Sequence, residues 1–114
     1  MFKRPSKDSS EPKLVWFPVT IHEPRDGGGA IDHKVKVQYE IISEAEKDQE
    51  IREGGDEGFL ERVVRDWKEF MDQNGAPVAC TPESRADFFD ISYVRIAVVN
   101  GYFVAQTGGR RKNL

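Results

Sequence analysis

His22, Asp26, Asp32, His33 and Cys80 are the residues whose types could do chemistry together. The two histidines flank the run Asp26-Gly27-Gly28-Gly29. If the chain reverses there, they could face each other across the mouth of a hairpin, with the aspartates and the thiol as further zinc ligands. Zinc sites are usually marked by short-range Cys or His pairs, and none is present, so surface or loop histidines account for both positions. Cys80 lies beside Thr81-Pro82-Glu83, a helix start that could lower a thiol pKa. No histidine is near it in sequence, and a small buried cysteine is the commoner use. The glycine run is no phosphate loop, because no Lys-Ser/Thr follows and the next segment alternates like a strand. With no convergent nucleophile, base and orienter, the reading is a protein that is not an enzyme and uses no cofactor or metal.

Charge is the next candidate. Glu44, Glu46, Asp48, Glu50, Glu53, Asp56 and Glu57 form a dense acidic stretch, but its spacing is not that of a calcium loop and basic residues interrupt it; a solvated helix face explains it. Positive charge gathers at the ends, in Lys3-Arg4 and Arg110-Arg111-Lys112. The formal net charge of -3 and a pI near 5.4 make the whole chain a poor magnet for nucleic acid or an anionic membrane. A single cysteine excludes an internal disulfide and fits a reducing compartment, with the cytoplasm as the expected location. The polar N-terminus reads as neither signal peptide nor anchor, and the apolar run from Tyr93 to Ala105 is too short to span a bilayer.

The length of 114 residues fits one compact domain. Residues 1–13, with Pro5 and Pro12, read as a flexible arm. Residues 14–112 read as one α+β domain, made of a β hairpin over 14–42 and a helical part over 43–109, with 110–114 a basic tail. Val15, Phe17, Val19 and Ile21 alternate with Leu14, Trp16 and Thr20, and Pro18 puts that strand at an edge or a bulge. Ile31, His33, Val35, Val37, Tyr39 and Ile41 alternate with charged residues in the clearest half-buried strand of the chain.

Three to four helices are expected after the hairpin. Ser43 and Glu46 predict a capping box for a short charged helix ending at Gly54-Gly55. Asp56 caps a second helix, in which Phe59, Leu60, Val63, Val64, Trp67, Phe70 and Met71 fall at helical spacing and Gly75 forms the exit. Thr81, Pro82 and Glu83 start a third, short helix. Asp90 or Ser92 caps the last, over Ile91 to Gly109, which is apolar on almost every side; it reads either as a central core helix or as one that docks on one face and offers the other to a partner, and the two are not exclusive.

From Val64 onward the chain has, in order, Trp67, an acid and turn before Gly75 and Pro77, Thr81 to Glu83, Tyr93-Val94-Arg95, Tyr102-Phe103, and a Gly-x-x-Arg-Lys-Asn terminus at Gly108 to Asn113. In these features it resembles the tail assembly chaperones of long-tailed bacteriophages and related prophages. The N-terminal stretch from Trp16 is similar to members that begin with a β hairpin. No single motif is diagnostic; order and spacing carry the resemblance.

That resemblance implies a bacterial cytoplasmic protein, absent from the mature virion, that binds the tape measure protein and keeps it soluble during tail assembly. It also implies homo-oligomers, and contact with tail tube protein through a frameshift-extended form if the codons at Lys112-Asn113 are slippery. The expected protein-binding residues are Tyr93, Ile96, Val99, Tyr102 and Phe103, on the last helix. The rival expectation is a small nucleic-acid-binding or regulatory protein of a mobile element, using the basic ends. Against it stand the net charge and the lack of aromatic-basic interleaving within any one strand or helix.

Overall fold

A computed structural model describes residues 1–3 and 11–109. The basic tail and most of the expected arm lie outside the described residues. The order of elements is β1 (Lys13–Pro24), β2 (Ala30–Ile41), α1 (Glu44–Val63), β3 (Val64–Lys68), α2 (Pro82–Phe89) and α3 (Ser92–Ala105). The class is α+β, with a hairpin first and three helices among the described residues.

The hairpin forms as its alternation requires. β1 and β2 pair antiparallel from Lys13↔Ile41 to Pro24↔Ala30, so the strand begins at the last residue assigned to the arm. Gly27, Gly28 and Gly29 all take positive φ in the turn, which explains three glycines where side chains would clash. Val19, Ile21, Val35, Val37 and Tyr39 are buried on one face of the sheet, while Leu14, Trp16, Lys34 and Lys36 stand exposed on the other.

The largest departure from expectation lies between Asp56 and Met71. The break expected at Gly54-Gly55 is present, since α1 consists of two helical segments joined across a kink at Gly55, where φ 64 and ψ -161 leave helical geometry. What differs is where the second segment ends. It stops at Val63, and Val64 to Lys68 become a third strand antiparallel to β2, giving the order β1-β2-β3. Tyr39 pairs with Val64, Gln38 with Asp66 and Val37 with Trp67, leaving Arg65 as the extra residue of a bulge. A bulge lets residues three apart share a face, which is the spacing of a helix. Two strands alone are marginal, and β3 pairs the second edge of the central strand, so tertiary pairing prevails over the helical pattern. Trp67 is buried and donates from Nε1 to Val78 O at 2.7 Å, with Phe70 stacked on it at 4.2 Å.

Gly75 does take positive φ, but in a tight loop closed by Asp72 N–H to Ala76 O, not as a helix cap. The start of α2 is as expected: Thr81 Oγ1 accepts from Ser84 N–H at 3.1 Å, and Ser84 Oγ accepts from Thr81 N–H at 2.8 Å. At α3 the capping position is Ile91, which offers no side-chain hydrogen bond, rather than Asp90 or Ser92.

α3 lies on the apolar face of the sheet through Val94, Val98, Gly101 and Ala105. The approach is close because position 101 has no side chain: a Cβ there would lie 2.5 Å from Tyr39 Oη and 2.8 Å from Val19 Cγ2. Tyr39 Oη instead donates to Val98 O at 2.7 Å, and Tyr102 Oη accepts from Ile42 N–H at 3.1 Å. On the α1 side, Arg62 reaches Glu40 and Glu46 at 3.0 Å each, and Arg65 reaches Glu40 at 2.6 Å, tying α1 and β3 to the central strand. No single helix among the described residues is long and apolar enough to cross a membrane.

Candidate functional site

The five residues expected to form one protein-binding face of α3 do not share one. Tyr102 belongs to the core: it is fully buried, with its ring edge-on to Phe59 at 4.9 Å. Phe103 is half-buried, stacked on Phe59 at 6.1 Å with Lys47 Nζ 5.3 Å above its ring, and Val99 is half-buried against the core. Only Tyr93 and Ile96 face open space together, where they line a groove between α3 and β1. Thus the second face of the helix is largely satisfied by α1, which its uniform apolarity could not reveal.

Ile96 is 58% exposed, and its groove, of about 590 Å³, has Ala97, Val104 and Phe17 on its apolar side and Thr20, His22, Asp32, Lys34 and Asn100 on its polar side. Tyr93 is shared with a second depression of about 660 Å³, walled by Ile21, Val35, Phe70, Met71, Phe88 and Ile91. Phe88 and Ile91 in turn border a third, of about 530 Å³, beside Val78. The three adjoin, so an apolar band runs from the C-terminal half of α3 past the hairpin end to the α2–α3 junction. Met71 at 45% and Ile91 at 38% exposure are, with Ile96, its uncovered large side chains.

Met71, Phe88 and Ile91 were not expected in the site. Met71 was assigned to a helix that does not form beyond Val63. Ile91 carries no signal of its own in the sequence, because single exposed apolar residues are ordinary; it joins the site through the meeting of α2, α3 and the hairpin end.

The other candidate centres resolve differently. In the hairpin register His33 lies opposite Ile21 and His22 opposite Asp32, so the two rings stand on opposite faces rather than facing each other. Each has its own carboxylate: His22 Nδ1 is 2.8 Å from Asp32 Oδ1, and His33 Nε2 is 2.8 Å from Glu23 Oε1. Burial pushes the Cys80 thiol pKa up, and Arg85, 3.5 Å from its sulfur, only partly counters this, which disfavours a thiolate nucleophile. Part of the acidic stretch serves the fold, since Glu46 and Glu50 meet Arg62, and Glu44 meets Lys47 at 2.6 Å.

The open face of the sheet carries a feature that reading each strand alone missed. Lys36 lies directly opposite Lys68, and Lys68 Nζ sits 4.6 Å over the ring of Trp16. Basic and aromatic residues therefore do interleave, across strands. No protein-family model, curated protein or solved structure matches the chain.

Proposed function

We propose that this protein is a tail assembly chaperone of a long-tailed phage or prophage, which captures apolar segments of the tape measure protein in the bacterial cytoplasm and is absent from the finished virion. The observation that carries the reading is the run of adjoining depressions in which Ile96, Ile91 and Met71 stand uncovered together. The ordered likeness from Trp67 to Asn113 supplies the identity of the client. Capture is non-covalent, through weak contacts repeated by several copies along one long chain, so that avidity replaces single-site affinity. Self-association belongs to the same proposal, as does recruitment of tail tube protein by a frameshift-extended form.

The test is co-expression with the tape measure protein encoded nearby, followed by light scattering of the soluble fraction. The proposal expects a soluble complex with the native chain and precipitated client with Ile96→Asp/Ile91→Asp, a pair of changes at exposed positions. A client that precipitates beside the folded native chain, or stays soluble with the double variant, overturns it.

A second reading, binding of single-stranded nucleic acid, draws support from Trp16, Lys36 and Lys68 on the open sheet face. It expects quenching of Trp16 fluorescence by an oligonucleotide, weakening steeply as salt rises.

A further inference from the structure

We infer that the client segments taken by this chain are amphipathic helices whose apolar stripe is flanked by lysine or arginine. The inference rests on the chaperone reading and specifies the chemistry of its partner. The two depressions that share Phe88 and Ile91 combine apolar side chains with carboxylates in their lining. Glu23, Glu69, Asp72 and Asp87 line them, and neither contains a lysine or an arginine.

Only Glu23 has a cation beside it, the His33 ring when protonated. Asp72 spends Oδ1 on the N–H groups of Asn74 and Ala76, which leaves its charge without a counterion. Glu69 and Asp87 are exposed and make no ion pair among the described residues. Carboxylates around an apolar trough focus a negative potential into it. A lysine or arginine at its edge answers that potential while its methylene stem covers the apolar wall.

The partner must also bring its own backbone hydrogen bonds. Around the trough the main chain is already paired, Val78 N–H with Phe70 O at 2.8 Å and Asp72 N–H with Ala76 O at 2.9 Å. β2 is paired on both sides from Lys36 to Tyr39 and with β1 alone from Ala30 to Val35. The rest of the trough, from Phe70 to Asp72 and from Phe88 to Val94, is a paired loop and two helices that present side chains, and a helix laid on them needs no open strand edge.

The experiment measures fluorescence anisotropy of three labelled synthetic 20-residue peptides binding to the full chain. All carry the same leucine stripe at helical spacing, with flanks of lysine, glutamine or glutamate. The lysine peptide should bind about tenfold more tightly than the glutamine peptide at low salt, with the glutamate peptide weakest and the spread shrinking as salt rises. Glu69→Lys/Asp87→Lys should reverse the order. Asp48→Lys/Glu53→Lys, the same change in net charge placed on α1 away from the trough, should leave the order intact.

Equal binding of all three peptides, lost together in Ile91→Asp, would overturn the inference while leaving capture by the apolar band standing. A lysine preference unmoved by Glu69→Lys/Asp87→Lys, or abolished equally by the α1 pair, would also overturn it, since the charge would then act from elsewhere. If no peptide binds and the native chain fails to solubilise the tape measure protein, the chaperone reading falls with it.

Discussion

Replacing Gly101 by alanine tests the helix-on-sheet contact that builds the core, because two effects of opposite sign meet there. In a helix interior alanine is favoured over glycine by about 0.8–1.0 kcal/mol, so an unhindered site would gain stability. Here the new methyl group would lie 2.5 Å from Tyr39 Oη and 2.8 Å from Val19 Cγ2, well inside the carbon contact distance of about 3.5–4.0 Å. Relieving that overlap costs about 1–3 kcal/mol. Displacing Tyr39 also removes its 2.7 Å hydrogen bond to Val98 O, a loss of about 1 kcal/mol. The expected net effect is destabilisation by about 1–3 kcal/mol, read as a urea midpoint lowered by about 1 M. In a Tyr39→Phe background the hydroxyl overlap is gone and the nearest atom of that ring, Cζ, is 3.5 Å away, so the alanine should cost about 1 kcal/mol less. An alanine variant more stable than the native chain would refute the close approach itself.

Gly55→Ala should cost about 1–3 kcal/mol, because φ 64 with ψ -161 is available to glycine alone, while Gly54→Ala one residue earlier should be neutral or stabilising; equal effects on thermal midpoints would deny the kink. Tyr102→Asp should fail to fold, whereas Ile96→Asp should keep native circular dichroism and lose only client capture, since one position is fully buried and the other 58% exposed. Tyr102→Phe should keep the fold but lose about 1 kcal/mol in denaturant titration, as Ile42 N–H loses its acceptor. Acid should weaken the protein through Glu40. Burial alone would raise its pKa, but hydrogen bonds and charge from Arg65 and Arg62 outweigh this and hold it below the ordinary 4.5. A depressed folded-state pKa gives stability that is complete above the unfolded value and lost as pH falls through the folded one. The urea midpoint should therefore drop with acidification below about pH 4.5, and Glu40→Gln should flatten that slope; unchanged slopes would place the titration elsewhere.

Where one interaction decides the local structure, the sequence was readable. The alternation of β2, the glycine turn, and the Thr81 cap with Pro82 behind it each follow from a rule acting over a few residues. β3 was hidden because its bulge at Arg65 gives Val64 and Trp67 the three-residue spacing of a helix face, and only the open edge of β2 distinguishes the two. The site was half legible for a related reason. The excess apolarity of α3 was evident, but which of its sides meets the sheet, which meets Phe59 on α1 and which meets solvent depends on elements far away in the chain. Tyr102 was therefore assigned to the surface and Ile96 correctly so, while Met71 and Ile91 became visible only once α2, α3 and the hairpin end were brought together.

The contact between α3 and the hairpin also governs how the protein is made. β1 and β2 leave the ribosome before the helices and can pair at once through a short turn, but the apolar side they create has no cover until α3 follows. The bond from Tyr39 to Val98 spans 59 residues, so the core closes through a long loop only once α3 has been made. During that interval the nascent chain displays Val19, Val35, Val37 and Tyr39 to its surroundings, the kind of surface that other chains aggregate through. A protein read as a guardian of someone else's apolar helices thus begins its own life with a bare sheet, and its last helix is the first client it has to capture.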